Sequence, residues 1–452
     1  MSLDDRWNET GQVTRRSFLA IGTASLITID DADARKHKKK KRRRNRKKRG
    51  KGGSGNIPGP ALAARRPFPQ ELTYGTVRPS QWTQAQLNEA VRTFYDRWKS
   101  RYLVALTGND GNQQYRVAFG RNGEKRGFTV SEGQGYGLVI VSTMAGHDPS
   151  AQRICEGLWR FARAHPSDID NRLMDWRVPG GEGNDSAFDG DADLAYGLLL
   201  ADAQWGSSGA INFRTEFERT LTGILASMIG PQSHLPMLGD WVKPDDSKYN
   251  QYTPRSSDLM TGHFRTWGRA TDAGVWNDVV AASQGTIASL QADYAPATGL
   301  LPDFIQPRSA QDHRPEPANA GFLEGPSDGS YSYNAGRVPW RAGADALLHG
   351  DATSAAQAAK IARWSNAATS GNPRQFRSGY HLNGTPLPDS DYFSIFFAPP
   401  LGVAAMCDPG LQAWLDAIYT AVVATTDEDY YEESVALLCL MLMTGNFRDP
   451  TR

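Results

Sequence analysis

Cysteine is scarce in this chain, with Cys155, Cys407 and Cys439 the only three in 452 residues. None stands at CxxC or metal-ligand spacing, and an odd number provides no disulfide framework. Cys439, within Leu437-Leu-Cys-Leu-Met441, reads instead as a small buried apolar residue. The eight histidines are scattered with no pair at ligand spacing, so no catalytic metal is expected. A glycine-rich phosphate loop is missing too, and no cofactor is expected. No internal stretch approaches the roughly 18 apolar residues that span a bilayer, which leaves no transmembrane domain.

Net charge is also close to nil, but only as an average of two unlike regions. Residues 1–56 hold 17 Lys and Arg against 6 Asp and Glu. The remainder carries 33 basic and 43 acidic residues, so a basic arm is joined to an acidic body. The arm begins with Thr14-Arg-Arg-Ser-Phe-Leu-Ala20, then a short apolar stretch to Ile29 and Asp31-Ala-Asp-Ala34. This reads as a twin-arginine export signal over 1–34, so the protein is expected to be exported and to associate with the cell surface. From Arg35 to Lys51 nearly every residue is Lys or Arg, and a Gly- and Pro-rich linker runs on to 66. Such a block repels itself and is expected to stay disordered. No aromatics interleave the charges, so specific nucleic-acid binding is not expected. Anionic cell-surface polymers are the expected contact of the arm.

From 67 to 449 the chain reads as one domain. Apolar residues recur at helical spacing over 83–101, 134–145, 150–164, 191–205, 213–229, 257–268, 275–292, 337–348, 353–367, 392–406, 410–424 and 430–444. Twelve segments with short turns suggest six antiparallel helix pairs, an all-α ring with its loops at one open end. A monomer is expected. One long interval, about 293 to 336, has no clear periodicity. Such an interval inside a compact domain is usually functional or disordered, and its Pro-Asp-Phe, Phe-Leu-Glu and Tyr-Ser-Tyr pieces are too aromatic for plain disorder.

Two acidic motifs stand out. Glu132 lies in Ser131-Glu-Gly-Gln-Gly-Tyr-Gly137, and Asp189-Gly-Asp-Ala-Asp193 leads into an apolar run ending at Trp205. One protonated acid beside further carboxylates is what acid-catalysed sugar chemistry requires. The glycines around Glu132 would let a polymer approach closely. Alternatively, Ser131 and Glu132 cap a helix and the glycines serve a tight turn. Asp189 and Asp193 can share one helix face while Asp191 points elsewhere. Alternatively, the run is an acidic first turn that suits the helix dipole. A calcium loop would need a glycine and a closing Glu that are missing.

Four motifs together resemble glycoside hydrolase family 8, in the same order. They are the Glu132 segment, the Asp189 run, Tyr333-Asn-Ala-Gly-Arg337-Val-Pro-Trp-Arg341, and Asp391-Tyr-Phe-Ser-Ile-Phe-Phe-Ala-Pro-Pro-Leu-Gly402. The resemblance covers Thr73 to Phe447 and implies an (α/α)6 barrel of six helical hairpins. It also implies an inverting endo-β-1,4-glycosidase acting on a β-linked polysaccharide, whether cellulose, mixed-linkage glucan or chitosan. By that resemblance Glu132 matches the general acid and Asp189 the acid that holds the sugar at the cleavage point.

The base departs from the commonest family pattern, because the residue after Tyr333 is Asn334 rather than Asp. An amide can position water but cannot take its proton. The long interval offers Asp303, Asp312, Glu316, Glu324 and Asp328 as replacements. Glu324 matches a branch of the family, chitosanases and lichenases, in which a Glu on an insertion is the base. Asp328 is its main rival. Inversion places two carboxyls roughly 6.5–9.5 Å apart with water between them. Trp176, Trp241, Tyr333 and Tyr392 are candidate sugar contacts, as are Arg337 and Arg341, which equally suit structural ion pairs. If Glu324 does not reach the site, the chain would be a tethered polysaccharide-binding protein. A glucanase that trims an exported polymer is a further reading. The acidic body and the inserted Glu favour chitosan slightly, because glucosamine is cationic, with the β-glucans together just ahead.

Overall fold

The computed structural model describes residues 62–180 and 184–452, so the expected export signal and most of the basic linker lie outside the described residues. The chain is already fixed at Leu62 and Arg66. Their backbone N–H groups donate to the side chains of Gln152 and Gln204 at 2.6 and 3.0 Å.

Twelve long helices follow, with one short one. They are α1 (Gln84–Tyr102), the short α2 (Gly123–Arg126), α3 (Ser131–Thr143), α4 (Ala151–Ala164), α5 (Phe188–Trp205) and α6 (Phe213–Ser227). Then come α7 (Thr261–Thr271), α8 (Val275–Asp293), α9 (Val338–His349), α10 (Ala352–Ala368), α11 (Ala398–Ala405), α12 (Gln412–Val423) and α13 (Tyr430–Met443). Three two-stranded antiparallel ribbons link them: β1 (Leu103–Thr107) with β2 (Gln113–Val117), β3 (Thr129–Val130) with β4 (Arg177–Val178), and β5 (Ile305–Pro307) with β6 (Pro315–Pro317).

Two helix types alternate along the chain, and their sequences explain why. Every residue of α3 is buried, as are all of α13 except Glu432 and nearly all of α5. A helix that is apolar on all sides must be surrounded by protein. By contrast α1, α4 and α6 bury one face only. The buried set forms an inner ring: α3 packs on α5, α7 on α9, α9 on α11, α11 on α13, and α13 returns to α3. Each inner helix carries an amphipathic partner outside, α4 on α3, α6 on α5, α8 on α7, α10 on α9 and α12 on α11. The sixth outer helix is α1, which packs on α13, so the first and last helices close the barrel. The expected (α/α)6 barrel is what forms, although one of its six pairs joins the two ends of the chain.

Helix starts differ from the periodicity in ways that matter to the site. Helix α3 begins at Ser131 and α5 at Phe188, so Glu132 and Asp189 sit in first turns rather than in the loops before them. Helix α11 begins at Ala398, six residues after the expected 392. Pro399 and Pro400 suit a first turn, where a missing N–H costs nothing.

The glycines near Glu132 also do something other than expected. A Cβ at Gly135 would lie 2.7 Å from Asp193 Cβ and 2.9 Å from the Gly190 carbonyl. At Gly133 it would meet the Tyr430 ring, and at Gly137 Val117. They open no path for a polymer. Gly135 lets α3 and α5 cross with backbones nearly touching, which brings Glu132 beside Asp189.

Candidate active site

The first turns of α3 and α5 meet the turn that enters α9 at one end of the barrel. Glu132 arrives there because β3 pairs with β4 and the Ser131 N–H donates to the Trp176 carbonyl at 2.8 Å. Arg337 lies between the two carboxylates, 1% exposed. Its Nη1 donates to Glu132 Oε2 at 2.8 Å, to Asp189 Oδ2 at 2.7 Å and to the Tyr136 hydroxyl at 3.3 Å. Its Nη2 donates to Ser257 Oγ at 2.8 Å and to Asn334 Oδ1 at 3.1 Å. The Asn334 amide nitrogen donates in turn to Glu324 Oε2 at 2.9 Å. A guanidinium and an amide thus link Glu132 to Glu324 without direct contact between them.

A second guanidinium, Arg255, spans the same cluster. It lies 3.5 Å from Asp189, 3.5 Å from Asp258 and 3.7 Å from Glu324. Four buried carboxyl groups therefore share two fixed positive charges, and not all four can ionise at neutral pH. Burial pushes the Asp189 carboxyl up, but Arg255 and Arg337 outweigh it and hold it below the usual carboxylate range. Burial pushes Glu132 up to about 8 against the pull of Arg337, with the Asp189 charge adding to the rise. Glu132 touches the same Nη1 as Asp189, but Asp189 has Arg255 as well and takes the charge. Burial likewise lifts Glu324 to about 7, opposed by Arg255 and by the Asn334 hydrogen bond. Asp258 is also lifted by burial to about 7. Glu132 thus holds its proton to higher pH than Glu324, to which Arg337 and Asn334 join it.

Of the five acids of the long interval, only Glu324 enters this cluster. Asp303 Oδ1 accepts backbone N–H groups of Ser332, Asn334 and Ala335 at 3.1, 3.0 and 2.6 Å, and so shapes the entry to α9. Asp328 accepts from Leu323, Glu324 and Gly325 at 2.7, 3.0 and 2.9 Å, which clamps the loop bearing Glu324. Asp312 pairs with Arg314 at the surface, and Glu316 accepts from Gln306 at 2.7 Å. The loop is further anchored by a small apolar cluster of Met237, Leu238, Val242, Phe304, Ala318 and Phe322. The Tyr249 hydroxyl fastens it by donating to the Phe322 carbonyl at 2.8 Å.

The expected sugar contacts divide. Trp176 is half-buried where α3 begins, and Trp241 is half-buried against Tyr249 with ring centroids 5.3 Å apart. The Tyr392 hydroxyl meets that of Tyr333 at 2.7 Å beside Asn334, and Tyr392 is 37% exposed. These four stand around the cluster. Arg341 does not: both its Nη atoms bind Asp193, at 3.0 and 2.6 Å, deeper in the barrel. It is the ion pair that was its alternative reading. Asp191 points elsewhere, as its position in the turn requires, with Oδ1 on the Met174 N–H at 3.0 Å.

Sequence reasoning missed Arg255, Asp258, Ser257 and Tyr430, whose hydroxyl donates to Glu132 Oε1 at 3.1 Å. Arg255 precedes the periodic segment that starts at 257, Ser257 and Asp258 read as the start of that helix, and Tyr430 reads as core. Among the described residues no group of three or more His, Cys, Asp or Glu side chains is arranged to hold a metal. No described helix is long and apolar enough to cross a membrane.

Comparison with known proteins decides the family. The model for glycosyl hydrolases family 8 matches residues 80–445. The chain belongs to that family. It is 39% identical over 391 residues to a β-glucanase of Niallia circulans, covering 85% of this chain and 92% of that protein. It is 37% identical over 396 residues to an endoglucanase of Bacillus sp. strain KSM-330, covering 85% and 82%. Among solved structures, the apo β-1,3-1,4-glucanase of Paenibacillus sp. X4 superposes with a TM-score of 0.80 at 38% identity, over 85% of this chain and 99% of that one. A cold-adapted family 8 xylanase shares the fold at a TM-score of 0.65 and 16% identity. The protein is a polysaccharide-hydrolysing glycosidase of family 8.

Proposed function

We propose that this family 8 enzyme is an inverting endo-β-glucanase acting on mixed-linkage or β-1,4-linked glucan. The link from Glu132 through Arg337 and Asn334 to Glu324 carries this reading. Glu132, kept protonated by burial, donates its proton to the glycosidic oxygen as the bond to the anomeric carbon breaks. Glu324 takes a proton from water as that water adds to the opposite face of the same carbon. Asn334 holds Glu324 and directs the water, and Asp189, ionised by its two arginines, grips and distorts the sugar being cut. Trp176 and Trp241 offer aromatic faces to neighbouring sugars, and Tyr333 and Tyr392 line the rim.

The choice of β-glucan over chitosan is supported by the relatives named above, a β-glucanase, an endoglucanase and a β-1,3-1,4-glucanase. Export rests on the twin-arginine pattern at 14–20 and the apolar stretch after it. The test is reducing-sugar release from barley mixed-linkage glucan, carboxymethylcellulose and chitosan, with proton NMR of the first-formed anomer. The expected result is glucan cleavage that yields the α-anomer first and is lost in Glu132→Gln and Glu324→Gln. Cleavage of chitosan alone, or a β-anomer formed first, would overturn the proposal.

A further inference from the structure

Two charged rungs, not one, join α5 to the run that enters α9. Asp189 and Asp193 stand one helical turn apart on α5, and Arg337 and Arg341 stand the same four residues apart opposite them. Equal spacing on facing elements stacks the pairs. The upper rung, Asp189 to Arg337, measures 2.7 Å, and the lower, Asp193 to Arg341, 2.6 and 3.0 Å. Asp193 and Arg341 are 2% and 4% exposed. A third inner helix joins at the lower rung: His263 of α7 lies 2.8 Å from Asp193 Oδ1 and stacks on Tyr196 of α5 with centroids 4.2 Å apart.

The upper rung demands more of the packing than an ordinary ion pair does. A single Nη1 serves Glu132, Asp189 and Tyr136 at once, so a small slide of α9 along α5 separates it from one of them. The lower rung is of the kind that resists such a slide. An Arg fork bound to a carboxylate at two points fixes direction as well as distance, which a lysine cannot do.

We propose that Asp193 and Arg341, braced by His263, are positioning residues for the reaction. They set the register of α5 against α9 and so place Arg337 between Glu132 and Asp189. None of them meets the substrate. A displacement of about 1 Å at a reacting group can cost on the order of 10²-fold in rate, so a sealed ion pair at this depth governs turnover rather than binding.

The inference rests on Glu132 being the general acid, and loss of activity in Glu132→Gln tests that separately. Glu132 is faced by Asp189, Arg337, Arg255, Tyr136, Tyr430 and Tyr431. Of these, Arg337 is the cation that the lower rung aligns. The experiment measures kcat, KM and the pH profile of Arg341→Lys and His263→Asn on barley mixed-linkage glucan. Arg341→Lys is expected to lose about tenfold or more in kcat with KM nearly unchanged. Its alkaline limb should move to higher pH, because a withdrawn Arg337 no longer favours the ionised form of Glu132. His263→Asn should show a smaller change in the same directions. A folded Arg341→Lys with wild-type kcat and an unmoved alkaline limb would overturn the proposal. So would an unfolded Arg341→Lys beside an unchanged His263→Asn, because the rung would then serve the fold alone.

Discussion

The Asn334 amide nitrogen stands 2.9 Å from Glu324 Oε2 and donates to it. The residue at which many family members carry an acid is here the hydrogen-bond partner of an acid from elsewhere. Its donor favours the ionised form of Glu324, the form a base needs, and its Oδ1 is held by Arg337 at 3.1 Å. An amide with both ends engaged is fixed in its flip as well as its place.

Glu324→Gln should therefore lower kcat by roughly 10²–10⁴-fold, the usual contribution of a positioned base, and leave polysaccharide binding intact. Adding Asn334→Asp to that variant places a carboxylate at the commoner family position and should restore a measurable part of the activity. Single-turnover rates and substrate-affinity gels separate the two effects. A double variant no faster than Glu324→Gln alone would show that the two positions do not reach the same water.

The pH profile of kcat/KM should be a narrow bell. Activity requires Glu324 ionised and Glu132 protonated, so it rises with the group lifted to about 7 and falls with the group lifted to about 8. Arg255→Met removes the cation that most opposes the rise of Glu324. The acid limb of that variant should move up and the bell should narrow further. An acid limb that stays in place would separate Arg255 from the base.

Asp328 gives a contrasting prediction. It clamps the Glu324 loop through three backbone N–H groups, and an asparagine oxygen can still accept some of them. Asp328→Asn should keep most of its activity. Asp328→Ala leaves all three donors without their partner, at about 1–3 kcal/mol for each that stays buried and unsatisfied, and should lose turnover and thermal stability together. Near-complete loss in Asp328→Asn, matching Glu324→Gln, would make Asp328 the base instead.

Stability should show the same strain. Burial raises Glu324 from its ordinary 4.5 to about 7, so the folded state binds this proton more tightly than the unfolded chain does. Its stabilising contribution is complete below pH 4.5 and is lost as the pH rises through about 7. Glu324→Gln, which cannot ionise, should gain in melting temperature relative to the wild type between pH 5 and pH 8, as calorimetry at the two pH values would show. A difference independent of pH would mean that the carboxyl is not held up by burial in the folded protein.

What was legible in the sequence was what depends on neighbours in the chain. A 3.6-residue period marks where a helix must bury a face, so the twelve long helices could be read from spacing alone. The motifs around Glu132 and Asp189 were legible because one helical turn holds each of them, and the motif around Arg337 through its resemblance to family 8. Asp193 could likewise be placed on the same face as Asp189.

Tertiary structure decided everything that needs partners far apart in the chain. It showed that α1 closes on α13, and that Gly135 exists for a crossing with Gly190. It assigned Asp303 and Asp328 to backbone N–H groups and left Glu324 for the cluster. It also brought in Arg255, which stands in no pattern. An acid's role depends on what else has claimed its oxygens, and only the folded chain determines which donors are near.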